Sequence, residues 1–324
     1  MSGYFVISLD FEMLWGLMDH DNYIEYSENI IGGVKRAIPS MLDLFEKYNI
    51  HSTWAVVGMI YNKDMEECID RIPLRQPSYS IPKMATYYRL EDLKDKKYGQ
   101  LLFAPEVIRK INSTQGQEIA THTYSHYYCM EEGQTALEFE ADLLKAKEVA
   151  AKEGISIESI VFPKNQYNNE YANILARNGI KNYRGNELSF AYGSGSDEDI
   201  NKWYRKGIRL LDSYFNVCGH SCYSLDELKS SDGLHNIRQS RILRAYNKKL
   251  SLLEWLKIRR IKKQMLYAAK HDKVFHLWWH PHNFGKDTER NIHNLECLLS
   301  YYKDLNRKYS FESKNMREIG ELLG

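Results

Sequence analysis

Short runs of apolar, β-branched and aromatic residues recur along this chain, separated by longer segments in which apolar positions return every three or four residues. A short run bounded by polar residues reads as a strand, and a long periodic segment as a helix with one buried face. Strands are accordingly predicted over residues 5–9, 53–57, 118–121, 159–162, 181–183, 208–212 and 274–279. Helices are predicted over 34–48, 135–152, 169–178, 252–271 and a stretch around 291–305. Gly179 directly follows the third helix, where a glycine closes a helix because it adopts the left-handed conformation without penalty. Strands alternating with helices is the order of a parallel sheet, so the fold class is α/β.

Two stretches break the alternation. Residues 61–104 carry Pro73, Pro77 and Pro82 among polar and tyrosine-rich residues, and are expected to form an insertion over one barrel mouth. A second insertion is expected over 194–251, beginning in the loop-like Gly193-Ser194-Gly195-Ser196-Asp197. No internal repeat is visible, and residues 1–324 are read as one domain with these insertions.

Composition narrows the function class. With 43% hydrophobic residues and 7 prolines the chain can bury a large core. Lys plus Arg (44) nearly balances Asp plus Glu (43), so no global field draws the protein to nucleic acid, and no nucleic-acid partner is expected. Met1 runs almost directly into a strand without a leader pattern, and no uncharged apolar run approaches the roughly 18 residues of a membrane span. The expectation is a cytoplasmic protein. The five cysteines, an odd number, form no disulfide framework. Cys218-Gly219-His220-Ser221-Cys222 matches no common zinc spacing and is read as ordinary thiols.

Three segments concentrate the candidate chemistry. His122-Thr123-Tyr124-Ser125-His126 follows the strand predicted over 118–121, and histidines four apart can meet one metal if the segment turns as a helical coil. Asp10 and Glu12 end the first strand, and their i, i+2 spacing lets both carboxylates face one side. The plainer reading makes Asp10 a turn cap and Glu12 a solvated charge. In a parallel barrel the carboxyl ends of the strands converge on one face, so the acids and the histidines could meet there. The third segment, His276-Leu277-Trp278-Trp279-His280-Pro281-His282-Asn283-Phe284-Gly285, passes from an apolar strand to a cluster of imidazoles. Its first histidine, His276, is read as a core residue.

These segments in this order resemble the polysaccharide deacetylase (NodB-homology) family, carbohydrate esterase family four, and specifically an intracellular branch of it. Ser8-Leu9-Asp10-Phe11-Glu12 with Trp15-Gly16 looks like the first motif, and His122-Thr123-Tyr124-Ser125-His126 like the second. Val161-Phe162-Pro163-Lys164-Asn165-Gln166 with Tyr183-Arg184-Gly185 is similar to the third, and Leu277-Trp278-Trp279-His280-Pro281-His282-Asn283 to the terminal histidine motif.

The resemblance implies a distorted (β/α) barrel and a divalent metal held by Glu12, His122 and His126, with Asp10 as base and His280 as acid. Trp15, Arg184, His282 and Asn283 would be substrate or supporting positions. A mixed nitrogen and oxygen site suits Zn²⁺, with Co²⁺, Mn²⁺ or Fe²⁺ as alternatives. The implied reaction is hydrolysis of an N-acyl, typically acetyl, group from a sugar or polysaccharide precursor, free or linked to a nucleotide or a lipid. A metal-dependent hydrolase of a non-sugar amide and a catalytically silent sugar-binding barrel are the alternatives. Two departures bear on the roles. The acids are separated by Phe11 where the family has adjacent aspartates, so which of Asp10 and Glu12 touches the metal stays open. Phe162 replaces the arginine that usually precedes the proline of the third motif, and Arg184 is the candidate to orient the base in its place.

One further feature is a run of ten basic residues from Arg238 to Lys263 against the single acid Glu254. Interleaved leucines and Trp255 make part of it amphipathic, so peripheral membrane contact through 238–263, a grip on a phosphate-bearing substrate and a solvated helix packed on the barrel are all open. The oligomeric state is not legible.

Overall fold

The computed structural model describes residues 2–193, 195–230 and 233–324. Ser194, which opens the second predicted insertion, and positions 231 and 232 within it lie outside the described residues.

Among the described residues, nine strands form one sheet: β1 (Tyr4–Phe11), β2 (Ser52–Val56), β3 (Gln117–Thr121), β4 (Ser159–Val161), β5 (Asn182–Arg184), β6 (His235–Asn236), β7 (Arg241–Ile242), β8 (Val274–Trp279) and β9 (Glu312–Lys314). Their order is β6-β5-β4-β3-β2-β1-β8-β7, with β9 beside the start of β1, and every pairing is parallel. The ends of the sheet, β6 and β7, are joined by residues 237–240 and are not paired with each other. Across that gap Gln239 N–H donates to the Gly185 carbonyl and Ser240 N–H to that of His276, so one extended segment passes from β5 to β8 and seams the curved sheet. The result is a distorted β/α barrel.

Strand alternation explains how this barrel carries chemistry. Phe5, Ile7 and Leu9 of β1 face outward with Trp54, Ile119, Phe275, Leu277 and Trp279, in the core shared with the surrounding helices. The inward positions start apolar: Val6, Ala55, Ala120, Val161 and Val274 meet Met316, Ile319 and Leu323 of the helix Met316–Leu323, which plugs the amino-terminal end. Further up, the same inward columns turn polar. Val6 gives way to Ser8 and Asp10, and Val274 to His276 and Trp278. Burial of a charged residue is costly unless it is paired, so this polar upper half marks the functional end.

The predicted strands other than 208–212 all appear. Residues 208–212 end the helix Trp203–Asp212 instead, with Leu210 and Leu211 about half exposed at 44% and 55%. A short apolar run cannot by itself distinguish strand from helix. The helix predicted over 34–48 is broken into Ser27–Gly32, a wide π-type turn over Gly33–Ala37, and Ile38–Tyr48. The helices Pro105–Ser113 and Met316–Leu323 were not predicted. Gly179 closes its helix in the left-handed conformation (φ 74°) as expected.

Residues 61–104 form short helical turns that brace the rim. Thr86 Oγ1 donates to the Ser125 carbonyl (2.6 Å), Tyr79 OH accepts from Tyr128 N–H (2.7 Å), and Arg89 donates to the Met18 carbonyl (2.7 Å). The basic run does not form one cationic face. Arg241, Lys257 and Arg260 are buried, Arg241 and Arg260 against Asp212 and Lys257 against Glu254. No helix of the described residues is long and apolar enough to cross a membrane.

Asp212 is the hub of that buried charge group. It also accepts the N–H groups of Val217 and Cys218 at 2.9 Å each. Removing one partner of a buried pair leaves the other charge uncompensated, at a cost of about 3–5 kcal/mol. Asp212→Ala is therefore expected to destabilise the fold by that amount in equilibrium denaturation. A change below about 1 kcal/mol would show that the cluster is hydrated and contributes little.

Candidate metal centre and active site

The His122–His126 loop leaves β3 directly, but it is not a helical coil. Thr123 and His126 both take positive φ angles, 64° and 60°, unusual for side chains with a Cβ and costly for a β-branched residue. The loop is held in this shape from both sides. Asp142, on the helix Ala136–Lys152, accepts the Tyr124 N–H (2.6 Å), the Ser125 N–H (3.1 Å) and the Ser125 hydroxyl. Thr123 Oγ1 accepts the Tyr127 N–H (2.7 Å). Two left-handed residues, not helical periodicity, thus bring the imidazole rings to 5.1 Å between centroids.

Both rings point Nε2 at Glu12. Glu12 Oε1 lies 3.0 Å from His122 Nε2, 3.3 Å from His126 Nε2 and 3.4 Å from His280 Nε2. His122 Nδ1 lies 2.8 Å from the Val161 carbonyl, which can only accept, so Nδ1 carries a proton and Nε2 is the nitrogen turned toward Glu12. Burial raises Glu12, but His280, His122 and His126 outweigh it and hold the carboxyl well below its usual range. Burial lowers His126 despite the neighbouring Glu12. A carboxylate oxygen and imidazole nitrogens at these separations are donor groups that could hold one cation. Donors bound at about 2.0–2.1 Å to one tetrahedral ion lie roughly 3.3 Å apart, so Glu12, His122 and His126 fit a divalent metal. Gly16 leaves room for this arrangement: a Cβ there would come within 2.1 Å of Glu12 Oε2 and 2.8 Å of Glu12 Cβ.

Asp10 faces a different partner. Arg184, on β5, grips it with two parallel bonds, Nη1 to Oδ1 at 2.6 Å and Nη2 to Oδ2 at 2.7 Å. The guanidinium is itself fixed by the Ser8 hydroxyl (3.0 Å), Asn165 Oδ1 (2.9 Å) and the face of Trp278, 4.3 Å away. Burial pushes Asp10 up, and Arg184 with His122 and His280 more than offsets it, leaving the carboxyl below its ordinary range. Arg184 thus holds Asp10 from β5, whereas Phe162 is buried in the outer aromatic core. Arg184→Lys would keep the charge and lose the fork, so turnover is expected to fall about 10–100-fold with metal content unchanged. Unaltered turnover in this variant would remove Arg184 as the positioning residue.

The terminal motif follows strand alternation. Trp278 and His280 face the cleft, whereas Trp279 points into the helical layer against Phe45 and Phe284. Burial lowers His280, but Glu12 and Asp10 outweigh it and raise the group overall. His282 also reaches the cleft, 5.4 Å from His280 between ring centroids, where burial and His280 push it down to about 4. Asn283 lines the cleft beside it. His276 is the core residue expected, set between the Ile237 carbonyl (3.0 Å) and the Ser8 hydroxyl (2.8 Å) and pushed down to about 3 by burial and Arg184.

Of the two roles open to Trp15, substrate contact and support, the structure leaves support. The side chain is fully buried, its indole N–H donates to the Leu102 carbonyl at 2.7 Å, and it does not line the cleft. Its role is to pin the loop after Glu12 to the first insertion. Several contributors had no sequence signal: the Val161 carbonyl behind His122, Ser8 between Arg184 and His276, and Asp19, which pairs with Lys164 (2.6 Å) at the rim. Their partners are remote in sequence, so no spacing announces them. The Cys218–Cys222 segment joins no metal-ligand group among the described residues. The cleft has a volume of about 410 Å³, and the second insertion contributes Arg209, Gln239 and Arg244 to its wall.

Residues 31–183 match the family model described as polysaccharide deacetylase. Over that segment, 153 of the 324 residues, the chain is similar to the polysaccharide deacetylase family. The matched segment contains His122 and His126 but neither the Asp10–Glu12 pair nor His280. Solved structures support the fold of the whole. A Mycobacterium smegmatis protein named as a polysaccharide deacetylase superposes with a TM-score of 0.60 at 14% identity, covering 100% of this chain and 91% of its own. A Pseudomonas aeruginosa PAO1 protein, also named as a polysaccharide deacetylase, gives 0.54 at 11% identity, with 98% and 89% covered. A GH57-type branching enzyme from Pyrococcus horikoshii gives 0.52 at 13% identity, with 100% and 71% covered. No curated protein matches the chain in sequence.

Proposed function

We propose that this chain is a member of the polysaccharide deacetylase family and a metal-dependent hydrolase that removes an N-acyl group, acetyl in the simplest case, from a sugar. The observation that carries the reading is the buried Glu12 carboxylate faced by three imidazole nitrogens within 3.0–3.4 Å, beside the separately clamped Asp10. Glu12, His122 and His126 would hold the ion, Zn²⁺ being best suited to this donor set. When bound, a divalent cation supplies positive charge that acidifies water and polarises an acyl carbonyl.

The chain's own groups supply the proton transfers. Asp10, kept ionised and oriented by Arg184, accepts a proton from the water that attacks the acyl carbon. His280 lies 3.8 Å from Asp10 Oδ2 and 3.4 Å from Glu12 Oε1, on the exposed side of both. From there it donates a proton to the amide nitrogen as the carbon–nitrogen bond breaks, giving a carboxylate and an amine. Tyr26 and Tyr192 with Asn186 and Asn283 offer aromatic faces and polar edges suited to a sugar ring.

A panel of N-acetylated sugars set against formamide and ureide substrates tests the substrate class. Acyl release confined to the sugars is the expected result. Hydrolysis confined to the non-sugar amides would reassign the cleft, and tight metal binding with no hydrolysis of any acyl sugar would favour a silent sugar-binding barrel.

A further inference from the structure

The cleft wall contributed by the second insertion has a chemistry that removal of a neutral acyl group does not use. Arg209, on the helix Trp203–Asp212, and Arg244, just beyond β7, both line it. Neither has a carboxylate within ion-pair distance among the described residues. Arg244 donates through Nε to the Ser213 hydroxyl at 2.8 Å, and its four terminal N–H groups meet no protein acceptor among the described residues. Arg209 gives one bond from each terminal nitrogen to neutral carbonyls, those of Ala191 (3.2 Å) and Ile200 (2.7 Å).

The other charged groups of the cleft are already matched. Asp10 is held by Arg184, Glu12 by the imidazoles, and Lys164 by Asp19. Burial pulls both arginines below their ordinary range, with Arg205 and Arg244 adding to the effect at Arg209 and Arg241 at Arg244. Two half-buried guanidiniums lining one cleft without a paired acid are unfavourable in isolation. An anion between them reverses the sign of that interaction, and guanidinium forks match phosphate oxygens in particular.

We infer that Arg209 and Arg244 form a subsite for a phosphate group carried by the acylated sugar, so that the substrate is a sugar phosphate and not a neutral glycan. The inference rests on the acyl-sugar reading of the metal end of the same cleft. A volume of about 410 Å³ accommodates one sugar with its substituent. The phosphate could belong to a soluble sugar phosphate or to a sugar phosphate esterified to a lipid, and the chemistry recognised is the same.

Binding separates this inference from turnover. The probes are glucosamine, glucosamine 1-phosphate and a short-chain isoprenyl ester of glucosamine phosphate, titrated calorimetrically into the intact protein. None carries an acyl group, so no hydrolysis is required. The unaltered protein should prefer the phosphorylated amines at least about tenfold, a preference that weakens as salt is raised. Arg244→Gln and Arg209→Gln should each remove about tenfold of the preference. A stronger preference for the isoprenyl ester assigns a lipid-linked source, and one no stronger than for the monophosphate a soluble source. Equal binding of glucosamine and its phosphates by the unaltered protein overturns the inference and leaves deacylation intact. A phosphate preference without hydrolysis of any acyl sugar would instead sink the deacylase reading alone.

Discussion

Replacing His122 with alanine is expected to abolish stoichiometric metal binding and, with it, hydrolysis. In the proposed site His122 is one of three donors, and its ring is oriented by the 2.8 Å bond from Nδ1 to the Val161 carbonyl. A bond of this kind behind a ligating histidine orients the ring and raises its basicity. The two remaining donors cannot compensate, because His126 stands in a strained backbone conformation set by Asp142 and Thr123 and has little freedom to move. Elemental analysis after dialysis against metal-free buffer, with circular dichroism confirming the fold, reads the outcome. Full occupancy at unchanged affinity would place the metal elsewhere.

His280→Ala is expected to keep the metal and lose turnover by about 10²–10⁴, the usual range for general acid–base catalysis. The neighbouring His282→Ala should cost less. Both rings reach the cleft, but their surroundings drive them in opposite directions. His280 faces the carboxylates of Asp10 and Glu12, which favour its protonated form, whereas His282 is buried behind it and pushed down to about 4. Only a ring that holds its proton while facing the reacting group can deliver one. Kinetics of the two variants at matched metal content decide between them, and a larger loss at position 282 would exchange the roles.

The site was more legible in the sequence than the framework that supports it. Asp10, Glu12, His122 and His280 each continue an inward-facing column of a strand that the apolar pattern had located, so topology brings these four together, whereas His126 reaches them through the loop after β3. Arg184 was also found from sequence, as the substitute for the arginine missing at Phe162, and it forms the bidentate contact with Asp10. The route by which His122 and His126 meet was not legible, since positive φ angles at Thr123 and His126 leave no pattern in residue type. Trp15 resembled a motif position and proved to be a core anchor. The strands β6, β7 and β9 were invisible because two or three polar residues, such as His235-Asn236 and Glu312-Ser313-Lys314, carry no periodicity. In the basic run, charge counted along the chain left a membrane surface and a phosphate-bearing substrate both open, and could not tell that Arg241 and Arg260 turn inward onto Asp212 while Arg244 turns into the cleft.

The central claim, metal-dependent removal of an acyl group from a sugar, is tested most directly by measuring acetate released from an N-acetylated sugar phosphate by the purified protein. The measurement is made on the protein as isolated, after chelation, and after stoichiometric readdition of Zn²⁺. Release that disappears on chelation and returns with one equivalent of Zn²⁺ is the result expected here. Acetate release that persists at the same rate in fully metal-depleted protein would contradict the assignment of Glu12, His122 and His126 as the centre of the chemistry.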